Sequence, residues 1–421
     1  MKILLITSEE FSPAGGPLAG IFQKDQALAL KNAGHDVVVC EGKVEFSLSG
    51  LIRKAFFGKN ITAAYKKISV KKAWSLILQW ILGKNEKINY GHRHGFEVIS
   101  FSFIPFNNPD PGYALKFYQR TGMKALMGYF NKNPMPDIVH AHNVYWAAAL
   151  ANEFSAQTRV PYLITEHSSI VAKQALHKSL EAPCKKYYEE AGAVVVVSKS
   201  LKDAVKKYAE RAKIEVLPNV LPLEFEKMAK NIQDSPLVTK RSTIAFVNVA
   251  GLLPVKAHDR LLQAFAIICH TNKNVSLTII GDGPERVKLH GIAKALKIEH
   301  AVEFKGSMTR EEIAQILPEF DYFVFSSDVE TFGVAALEAL SLGLPVVSTP
   351  SGGPGFFINE SNGIISEDFS PFSLAKAMQE AMTRQWDKKQ ISQKCIDQFG
   401  EKAFVQKIEK LYGSLINQNR K

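Results

Sequence analysis

The chain contains few cysteines, and none of the four lies close to another in the sequence: they are Cys40, Cys184, Cys269 and Cys395. This spacing excludes a CxxC redox or zinc motif and offers no disulfide framework. Chains without disulfides are typical of reducing compartments. We therefore expect a cytoplasmic protein.

Long hydrophobic runs are also missing. The best candidate, Ala73–Leu82, is shorter than the roughly 20 apolar residues that a membrane-spanning helix needs, and two polar residues interrupt it. Near the start of the chain, the apolar residues Ile3–Ile6 are soon followed by two glutamates, which is unlike a signal peptide. We predict a buried first strand there and no membrane-spanning segment.

Signatures of metals and of dinucleotides are absent as well. The sequence has no Asp-x-Asp at a predicted strand end, no helical HExxH motif and no G-x-G-x-x-G turn. We therefore expect no metal site and no bound cofactor. A nicotinamide-dependent oxidoreductase is disfavoured for the same reason.

The composition that remains is that of a globular α/β protein. Hydrophobic residues make up 46% of the 421 residues and charged residues 22%, an ordinary balance for folded domains. Short apolar segments alternate with amphipathic ones, which predicts parallel strands covered by helices on both faces. The predicted strands are 3–7, 37–40, 97–101, 138–141, 162–165, 194–197 and 215–217 in the first half, and 244–249, 275–280, 302–304, 322–325 and 345–348 in the second.

We place a domain boundary near residue 218, because Pro218, Pro222 and Pro236 accompany a polar stretch with the character of a linker. Residues 1–218 would form one Rossmann-like domain and residues 219–400 another. The last segment, 401–421, is a predicted helix that could pack back on the first domain. Open α/β sheets bind ligands at the carboxyl ends of their strands, so residues that follow predicted strands are the first candidates for a site.

The net charge of +11 is unevenly distributed. Between residues 51 and 90, nine lysines and arginines stand against one acid, Glu86, so this window has a net charge of +8 (nine minus one). The aromatic residues in the window include Phe56, Phe57, Trp74, Trp80 and Tyr90. Lysines combined with aromatic side chains suit an interfacial membrane contact, and a solvated helical insertion is the alternative. A nucleic-acid site is disfavoured, because no recognition motif accompanies the basic residues.

The most informative segment is Glu330-Thr-Phe-Gly-Val-Ala-Ala-Leu-Glu338. It follows the predicted strand 322–325 and opens a predicted helix near Phe332, where backbone N–H groups and the helix dipole suit a phosphate. Gly333 would let a ligand approach the backbone closely. The carboxylates of Glu330 and Glu338 could accept hydrogen bonds from sugar hydroxyls. A capping acid and a solvated surface acid are the alternatives.

This segment resembles the E-x7-E motif of retaining, nucleotide-sugar-dependent glycosyltransferases of the GT4 family, and the resemblance extends over most of the chain. It implies the GT-B fold, in which two Rossmann-like parallel-sheet domains face a central cleft. The resemblance also implies that Glu330 binds hydroxyls of the donor sugar and that Glu338 holds the ribose. The backbone amides of Phe332, Gly333 and Val334 would support the sugar and the diphosphate.

A second segment, Val249-Ala-Gly-Leu-Leu-Pro-Val-Lys256, resembles the G-R-L-x-x-x-K segment of the family, whose two cations neutralise the leaving diphosphate. Lys256 matches the lysine, whereas Gly251 occupies the place of the arginine. Either another cation substitutes, or stabilisation of the leaving group depends on Lys256 and the helix start. Gly281 and Gly283 match the G-x-G-P turn of the family, which lines the donor pocket.

The first half contains further matches. Gly15 and Gly16 resemble the Gly-Gly loop that approaches the donor phosphate in the family. His142 matches a histidine near the reacting sugar carbons, and we expect His140 to point to the other face of its strand. A packed histidine is the alternative for both. Residues 165–167 match a strand end on the acceptor side.

The resemblance implies a metal-independent, hexosyltransferase-like enzyme in which Lys256, Glu330 and His142 are the catalytic candidates. We expect a nucleoside-diphosphate sugar as donor, with UDP as the first choice of nucleotide. The expected acceptor is a saccharide or lipid-linked saccharide of envelope or exopolysaccharide synthesis, and membrane binding by residues 51–90 would place the protein on the inner face of the plasma membrane. A non-catalytic nucleotide-sugar-binding protein and a nucleotide-sugar epimerase or hydrolase remain as alternatives.

Overall fold

A computed structural model describes residues 1–8, 21–44, 46–56, 68–106, 111–233 and 243–419. Within these ranges the chain forms two compact units. The first unit comprises residues 1–196, 201–216 and the chain from residue 407 onward, and the second comprises residues 197–200 and 217–406. Each unit is built around one sheet, so the two are described separately.

The sheet of the first unit has eight strands in the described residues, in the order β3-β4-β2-β1-β5-β6-β7-β8. Its neighbouring strands pair in parallel, except for β3 and β4, which form an antiparallel hairpin. The strands are β1 (Lys2–Thr7), β2 (Asp36–Val44), β3 (Glu86–Arg93), β4 (Phe96–Phe103), β5 (Ile138–His142), β6 (Tyr162–Glu166), β7 (Ala193–Val196) and β8 (Ile214–Val216).

Helices connect these strands, and most of them bury apolar residues against the sheet. The helices are α1 (Ile21–Asn32), α2 (Leu48–Phe56), α3 (Val70–Ile81), α4 (Pro111–Phe130), α5 (Ala147–Thr158), α6 (Ser169–Ala172), α7 (Lys178–Glu190) and α8 (Lys199–Tyr208). In α5 the run Ala147–Ala151 is fully buried, because small side chains let a helix lie close to the central strands. Burying β1 on both faces explains why Ile3–Ile6 form a continuous apolar run.

The sheet of the second unit is parallel throughout, in the order β11-β10-β9-β12-β13-β14. Its strands are β9 (Ile244–Val249), β10 (Val275–Ile280), β11 (Val302–Gly306), β12 (Tyr322–Phe325), β13 (Val346–Ser348) and β14 (Gly363–Ile365). The order reverses between β9 and β12, and in open α/β sheets such a switch point is where ligands bind.

The helices of this part of the chain are α9 (Leu223–Gln233), α10 (His258–Thr271), α11 (Arg286–Ala295), α12 (Arg310–Ile316), α13 (Val334–Ser341), α14 (Pro371–Thr383), α15 (Lys388–Phe399) and α16 (Glu401–Asn419). The core beneath α10 and α14 contains Phe246, Leu261, Phe265 and Leu277, each completely buried. Each such side chain contributes about 1.5–3 kcal/mol by leaving water. This core fixes the sheet from which the loops of the candidate site extend.

The last helix, α16, is divided between the two units at residue 407. In its later part the hydroxyl of Tyr412 lies 2.6 Å from Nδ1 of His140, and Glu409 pairs with His35 at 2.8 Å. These contacts tie the C-terminal part of the helix to the first unit.

The prediction of two parallel-sheet α/β domains is confirmed, but two strands were not predicted. β14 is only three residues long, and β3 is a largely polar edge strand inside the basic window. The basic window, residues 51–90, therefore contains most of α2, all of α3 and most of β3. Its described part is a mixture of helix and strand. Residues 57–67 of the window lie outside the described residues.

Candidate functional site

The loop after β12 leads into α13, as the sequence predicts, although the helix begins at Val334. Gly333 is the N-terminal cap residue and has a φ of 93°, in the left-handed region that favours glycine. A Cβ at this position would lie 3.0 Å from Cγ of Pro354 and 3.2 Å from the ring of Phe325. Gly333 is thus required both by its backbone conformation and by the close packing around it. Phe332, beside it, is buried against Phe357 and Phe399.

Lys256 and Glu330 form an ion pair across the switch point of the sheet. Nζ of Lys256 lies 2.6 Å from Oε1 of Glu330, and Ser327 Oγ donates to the same oxygen at 2.7 Å. The Glu330 side chain is 10% exposed and that of Lys256 24%, so the pair is largely buried but not sealed from solvent. Two residues that are 74 positions apart in the sequence therefore meet, as required for a shared role.

Further hydrogen bonds hold the two loops together. Asp328 N donates to the carbonyl of Val255 at 2.9 Å, and Ser326 Oγ donates to the carbonyl of Lys256 at 2.8 Å. Arg260, which the sequence reasoning missed, donates to the Ser326 carbonyl at 2.7 Å and to Asp328 at 2.8 Å. These two hydrogen bonds make Arg260 a brace of the loop after β12.

The segment after β13 clamps the backbone of Glu330. Glu330 N donates to the Ser351 carbonyl at 2.8 Å, and Gly353 N donates to the Glu330 carbonyl at 2.9 Å. A Cβ on Gly353 would lie 2.4 Å from the backbone nitrogen of Phe332. Only glycine allows this approach. The segment Ser351-Gly352-Gly353 therefore fixes the position from which the Glu330 side chain extends.

Gly281 and Gly283 follow β10 and are explained by close packing of two turns. A Cβ on Gly281, whose φ is 143°, would lie 1.9 Å from the carbonyl oxygen of Ala250. A Cβ on Gly283 would lie 2.5 Å from the carbonyl oxygen of Leu252. Both glycines thus press the turn after β10 against the segment that leads to Lys256.

Gly251 itself is in a different situation. Its φ is not in the left-handed region, and a Cβ at this position would meet its nearest neighbours at 3.8–3.9 Å, an ordinary contact distance. The backbone therefore accepts a Cβ here. The arginine position of the family motif is open in this chain and is not filled by the backbone.

Glu338 lies in α13 and is paired with a residue that the sequence did not indicate. Its carboxylate Oε1 lies 3.5 Å from Nε of Arg310, and the side chains are 7% and 11% exposed. Arg310 is the first residue of α12, whose start is fixed by a capping box between Thr309 and Glu312. The partner was missed because it lies far from Glu338 in the sequence, in a segment without a motif.

His142 ends β5 in the first unit and belongs to a buried group of three histidines. Its Nδ1 lies 3.1 Å from Nε2 of His167, with the two rings 9° apart. Burial, reinforced by the neighbouring histidines, holds the pKa of His142 well below 6.5. Burial also lowers the pKa of His140 to about 3 and that of His167 to about 4. All three rings are therefore neutral near pH 7.

The expectation that His140 points away from His142 is wrong. Their rings stack with centroids 4.5 Å apart, because residues two positions apart in a strand share a face. His140 is held between the hydroxyls of Thr165 and Tyr412, each at 2.6 Å. It is a packed histidine, the alternative that the sequence left open.

Glu166 fixes the strand ends that carry His142 and His167. Its fully buried carboxylate accepts hydrogen bonds from the backbone nitrogens of Val144, His167 and Ser168 and from the hydroxyl of Tyr188, at 2.6–3.1 Å. Burial raises the pKa of Glu166 despite these donors. Such a carboxylate positions backbone and does not itself contact a ligand.

Two predicted positions, Gly15 and Gly16, lie outside the described residues. Among the residues that are described, no group of three or more histidine, cysteine, aspartate or glutamate side chains could hold a metal ion. No helix in the described part of the chain is long and apolar enough to cross a membrane.

Comparison with known proteins identifies what the two units resemble. A family model described as glycosyl transferases group 1 matches residues 228–398, and one described as glycosyltransferase family 4 matches residues 21–225. Together the two matches cover most of the chain.

Individual relatives are distant. The putative teichuronic acid biosynthesis glycosyltransferase TuaC of Bacillus subtilis is 24% identical over 394 residues, which cover 91% of this chain and 89% of that protein. The GPI3 subunit of phosphatidylinositol N-acetylglucosaminyltransferase from Saccharomyces cerevisiae is 27% identical over 170 residues, or 40% of this chain. That match spans 37% of the yeast subunit, well under two thirds of its length.

Among solved structures, HepE of Anabaena in complex with UDP and glucose superposes with a TM-score of 0.65. The sequences are 18% identical, and the superposition covers 98% of this chain and 99% of HepE. At this identity the likeness establishes the fold alone.

Proposed function

We propose that this chain, which belongs to the GT4-type glycosyltransferases of the GT-B fold, transfers a sugar from a nucleoside-diphosphate sugar to a hydroxyl acceptor with retention of anomeric configuration. The observation that carries the proposal is the ion pair between Lys256 and Glu330 at the switch point of the second sheet. It puts a cation and a hydroxyl-binding carboxylate side by side, next to the start of α13.

In the proposed reaction, the bond between the sugar and the diphosphate breaks while negative charge grows on the leaving phosphate oxygen. Lys256 and the backbone N–H groups at the start of α13 stabilise that charge, so a metal ion is not needed. Glu330 orients the sugar through its hydroxyls, and the resemblance to the family keeps His142 as a further catalytic candidate. The acceptor hydroxyl attacks the face that the phosphate leaves and gives its proton to a phosphate oxygen.

We propose UDP as the nucleotide and a saccharide or lipid-linked saccharide as the acceptor. HepE was solved with UDP and glucose, and TuaC is named for the synthesis of teichuronic acid. These relatives support the choice of substrates to be tried first. We propose that the reaction uses no bound cofactor.

The test is a panel of UDP, GDP and ADP sugars in a nucleotide-release assay, with the product analysed by NMR. Retained configuration and dependence on an acceptor support the transferase. Inversion of an α-linked donor would refute it, nucleotide release without an acceptor would indicate a hydrolase, and binding without turnover would indicate a non-catalytic binding protein.

Glu330→Gln tests the central residue with its shape preserved. We expect kcat to fall by about 10- to 100-fold, because a hydrogen bond from a sugar hydroxyl to a charged group contributes about 1.5–3 kcal/mol. Glu367→Gln is the matched control, since Glu367 pairs with Lys376 on the exposed surface of the same unit. Full turnover by the Glu330 variant would remove Glu330 from the mechanism.

We also propose that the protein binds the inner face of the plasma membrane through α2 and α3. Val70, Trp74, Leu78 and Ile81 are exposed although apolar, and their spacing puts them on one face of α3. The neighbouring face of α3, which includes Ala73, Leu76 and Ile77, packs with α2 in a small core. An apolar helix face that is left outside its own core is what an interfacial helix needs.

The same two helices also carry exposed basic side chains. Lys71 and Lys72 are exposed on α3, and Arg53 is exposed on α2. Each lysine or arginine near an anionic membrane contributes about 1 kcal/mol to binding. The charge favours an anionic bilayer over a neutral partner, and a lipid-linked acceptor would be presented at such a surface.

Vesicle co-sedimentation tests the surface, with neutral phosphatidylcholine vesicles compared with vesicles that contain an anionic lipid. Lys71→Ala/Lys72→Ala should weaken binding to the anionic vesicles by about 10- to 30-fold, from about 2 kcal/mol. Trp74→Ser should weaken it as well, whereas Phe372→Ser, which changes an exposed aromatic residue of the second unit, should not. Absence of binding to either vesicle would reject the membrane contact.

A further inference from the structure

The carboxylate of Glu338 is almost completely enclosed, although it belongs to the family motif assigned to ribose binding. Its side chain is 7% exposed. A buried carboxylate is stable only when it is paired or hydrogen-bonded, and it can hold a sugar diol only when its oxygens keep one orientation. The residue that supplies this orientation is therefore part of donor recognition.

Arg310 is in position to do this. Its Nε lies 3.5 Å from Oε1 of Glu338, and its own side chain is 11% exposed. The backbone of Arg310 is anchored by the capping box before it: Glu312 N donates to Thr309 Oγ1 at 3.2 Å, and Thr309 N donates to Glu312 Oε2 at 2.7 Å. The guanidinium therefore extends from a fixed point, and its planar fork is suited to orienting a carboxylate.

A second arginine of the same unit shows what is unusual about this pair. Arg384 pairs with Glu380 four residues away in and after α14, and both side chains are more than a third exposed. Exposed pairs of that kind contribute little. Arg310 and Glu338, in contrast, come from different helices and are both largely buried, so removal of one deprives a buried charge of this partner.

We propose that Arg310 is a positioning residue for donor specificity, which holds Glu338 in the orientation that binds the 2′ and 3′ hydroxyls of the nucleotide ribose. The inference rests on the proposed role of Glu338 in donor binding. Arg310 acts through Glu338, so its loss affects the recognition of ribose hydroxyls and leaves the contacts of the base and the diphosphate intact.

The test compares UDP with 2′,3′-dideoxy-UDP by isothermal titration calorimetry, because the second nucleotide lacks both hydroxyls. The wild-type protein should bind UDP about 10- to 100-fold more tightly, the effect expected for hydrogen bonds to a charged group. In Arg310→Met this ratio should fall below about 3, mainly through weaker binding of UDP, and Arg310→Lys should keep an intermediate ratio. Arg384→Met, the matched control, should keep the wild-type ratio.

Glu338→Gln completes a double-mutant cycle. The ratio should be low in Glu338→Gln and should not fall further when Arg310→Met is added. Equal weakening of UDP and dideoxy-UDP by Arg310→Met would overturn the proposal. A lost contact with the base or the diphosphate, or a loss of folding, would weaken the binding of both nucleotides. An unchanged ratio would overturn it as well.

The same measurements separate a wrong role for Glu338 from a wrong role for Arg310. If the wild-type protein does not distinguish UDP from dideoxy-UDP, or binds neither, the ribose role of Glu338 is wrong and the inference falls with it. If the wild-type protein does distinguish them and Arg310→Met does so equally well, only the role of Arg310 is wrong.

Discussion

Replacing Gly251 by arginine should strengthen binding of the nucleoside diphosphate. Gly251 occupies the arginine position of the family motif, its φ is not in the left-handed region, and a Cβ would meet its nearest neighbours at 3.8–3.9 Å. The backbone therefore accepts a side chain without strain. The added guanidinium would supply the second cation beside Lys256.

The size of the gain follows from the charges. A hydrogen bond between arginine and a phosphate oxygen contributes about 1.5–3 kcal/mol, and ordering a long side chain costs up to about 2 kcal/mol. We expect a net gain of about 1–2 kcal/mol, which lowers the Kd for UDP about 5- to 30-fold. The same cation stabilises the charge that develops on the leaving group, so kcat/KM for the donor should also rise.

Calorimetric titration with UDP measures the effect, and two variants separate its causes. Gly251→Ala adds the Cβ without charge and should change the Kd less than about twofold. Gly291→Arg adds the same charge in α11, where a Cβ meets no atom within 4 Å, and should change the Kd little because salt screens distant charges. If Gly251→Arg folds but binds UDP no better than wild type, or if Gly291→Arg gains equally, the reasoning is refuted.

Three further predictions concern the same two units. Lys256→Met should lower kcat/KM at least about 100-fold in a donor-turnover assay, since it removes the cation at the leaving group; near-normal turnover would contradict its role. Gly353→Ala should destabilise the second unit by about 1–3 kcal/mol in thermal unfolding, because its Cβ would lie 2.4 Å from the Phe332 nitrogen. The control Gly355→Ala, whose Cβ would have its nearest neighbour at 3.8 Å, should leave the stability unchanged. For His140 and His167, whose pKa values burial lowers to about 3 and about 4, the unfolded chain binds protons below about pH 6.5 that the folded chain does not. The free energy of unfolding should therefore fall as the pH drops from about 6.5 to 4, by up to about 1.4 kcal/mol per pH unit for each histidine. Urea unfolding at about pH 7 and about pH 5 measures this change. His140→Asn should reduce the pH dependence of the unfolding free energy.

The alternation of apolar strands and amphipathic helices was enough to predict most strands of both sheets, because strands buried on two faces appear as short, nearly continuous apolar segments. It failed for β3, which is an edge strand with mostly exposed side chains. The sequence did offer one signal, the glycine at position 95 in the turn that joins β3 to β4. In the structure His94 and Gly95 both have positive φ, as a tight two-residue hairpin requires.

In the candidate site, the sequence predicted residues that occur within one motif and missed those that reach it from elsewhere. Lys256 and Glu330 each follow a strand, and parallel strands bring their carboxyl ends to one edge, so their meeting could be anticipated. Arg260 and Arg310 are helix residues with no motif of their own. Their importance depends on which way their side chains extend after folding, and strand periodicity does not reveal that.

The open position at Gly251 changes how the ion pair of Lys256 and Glu330 is understood. The charges of Lys256 and Glu330 lie 2.6 Å apart and cancel, and Gly251, at the family position for a second cation, carries no charge. A diphosphate that draws Lys256 away from Glu330 must therefore be held in part by the backbone N–H groups at the start of α13, while the released carboxylate becomes available to the sugar. The ion pair should therefore favour a ligand that supplies both groups, because a nucleotide without its sugar would separate the pair and leave Glu330 with only the Ser327 hydroxyl at 2.7 Å. On this reasoning the preference for the nucleotide sugar over the free nucleotide should be larger in the wild-type protein than in Gly251→Arg, where the added guanidinium can hold the diphosphate while Lys256 stays paired.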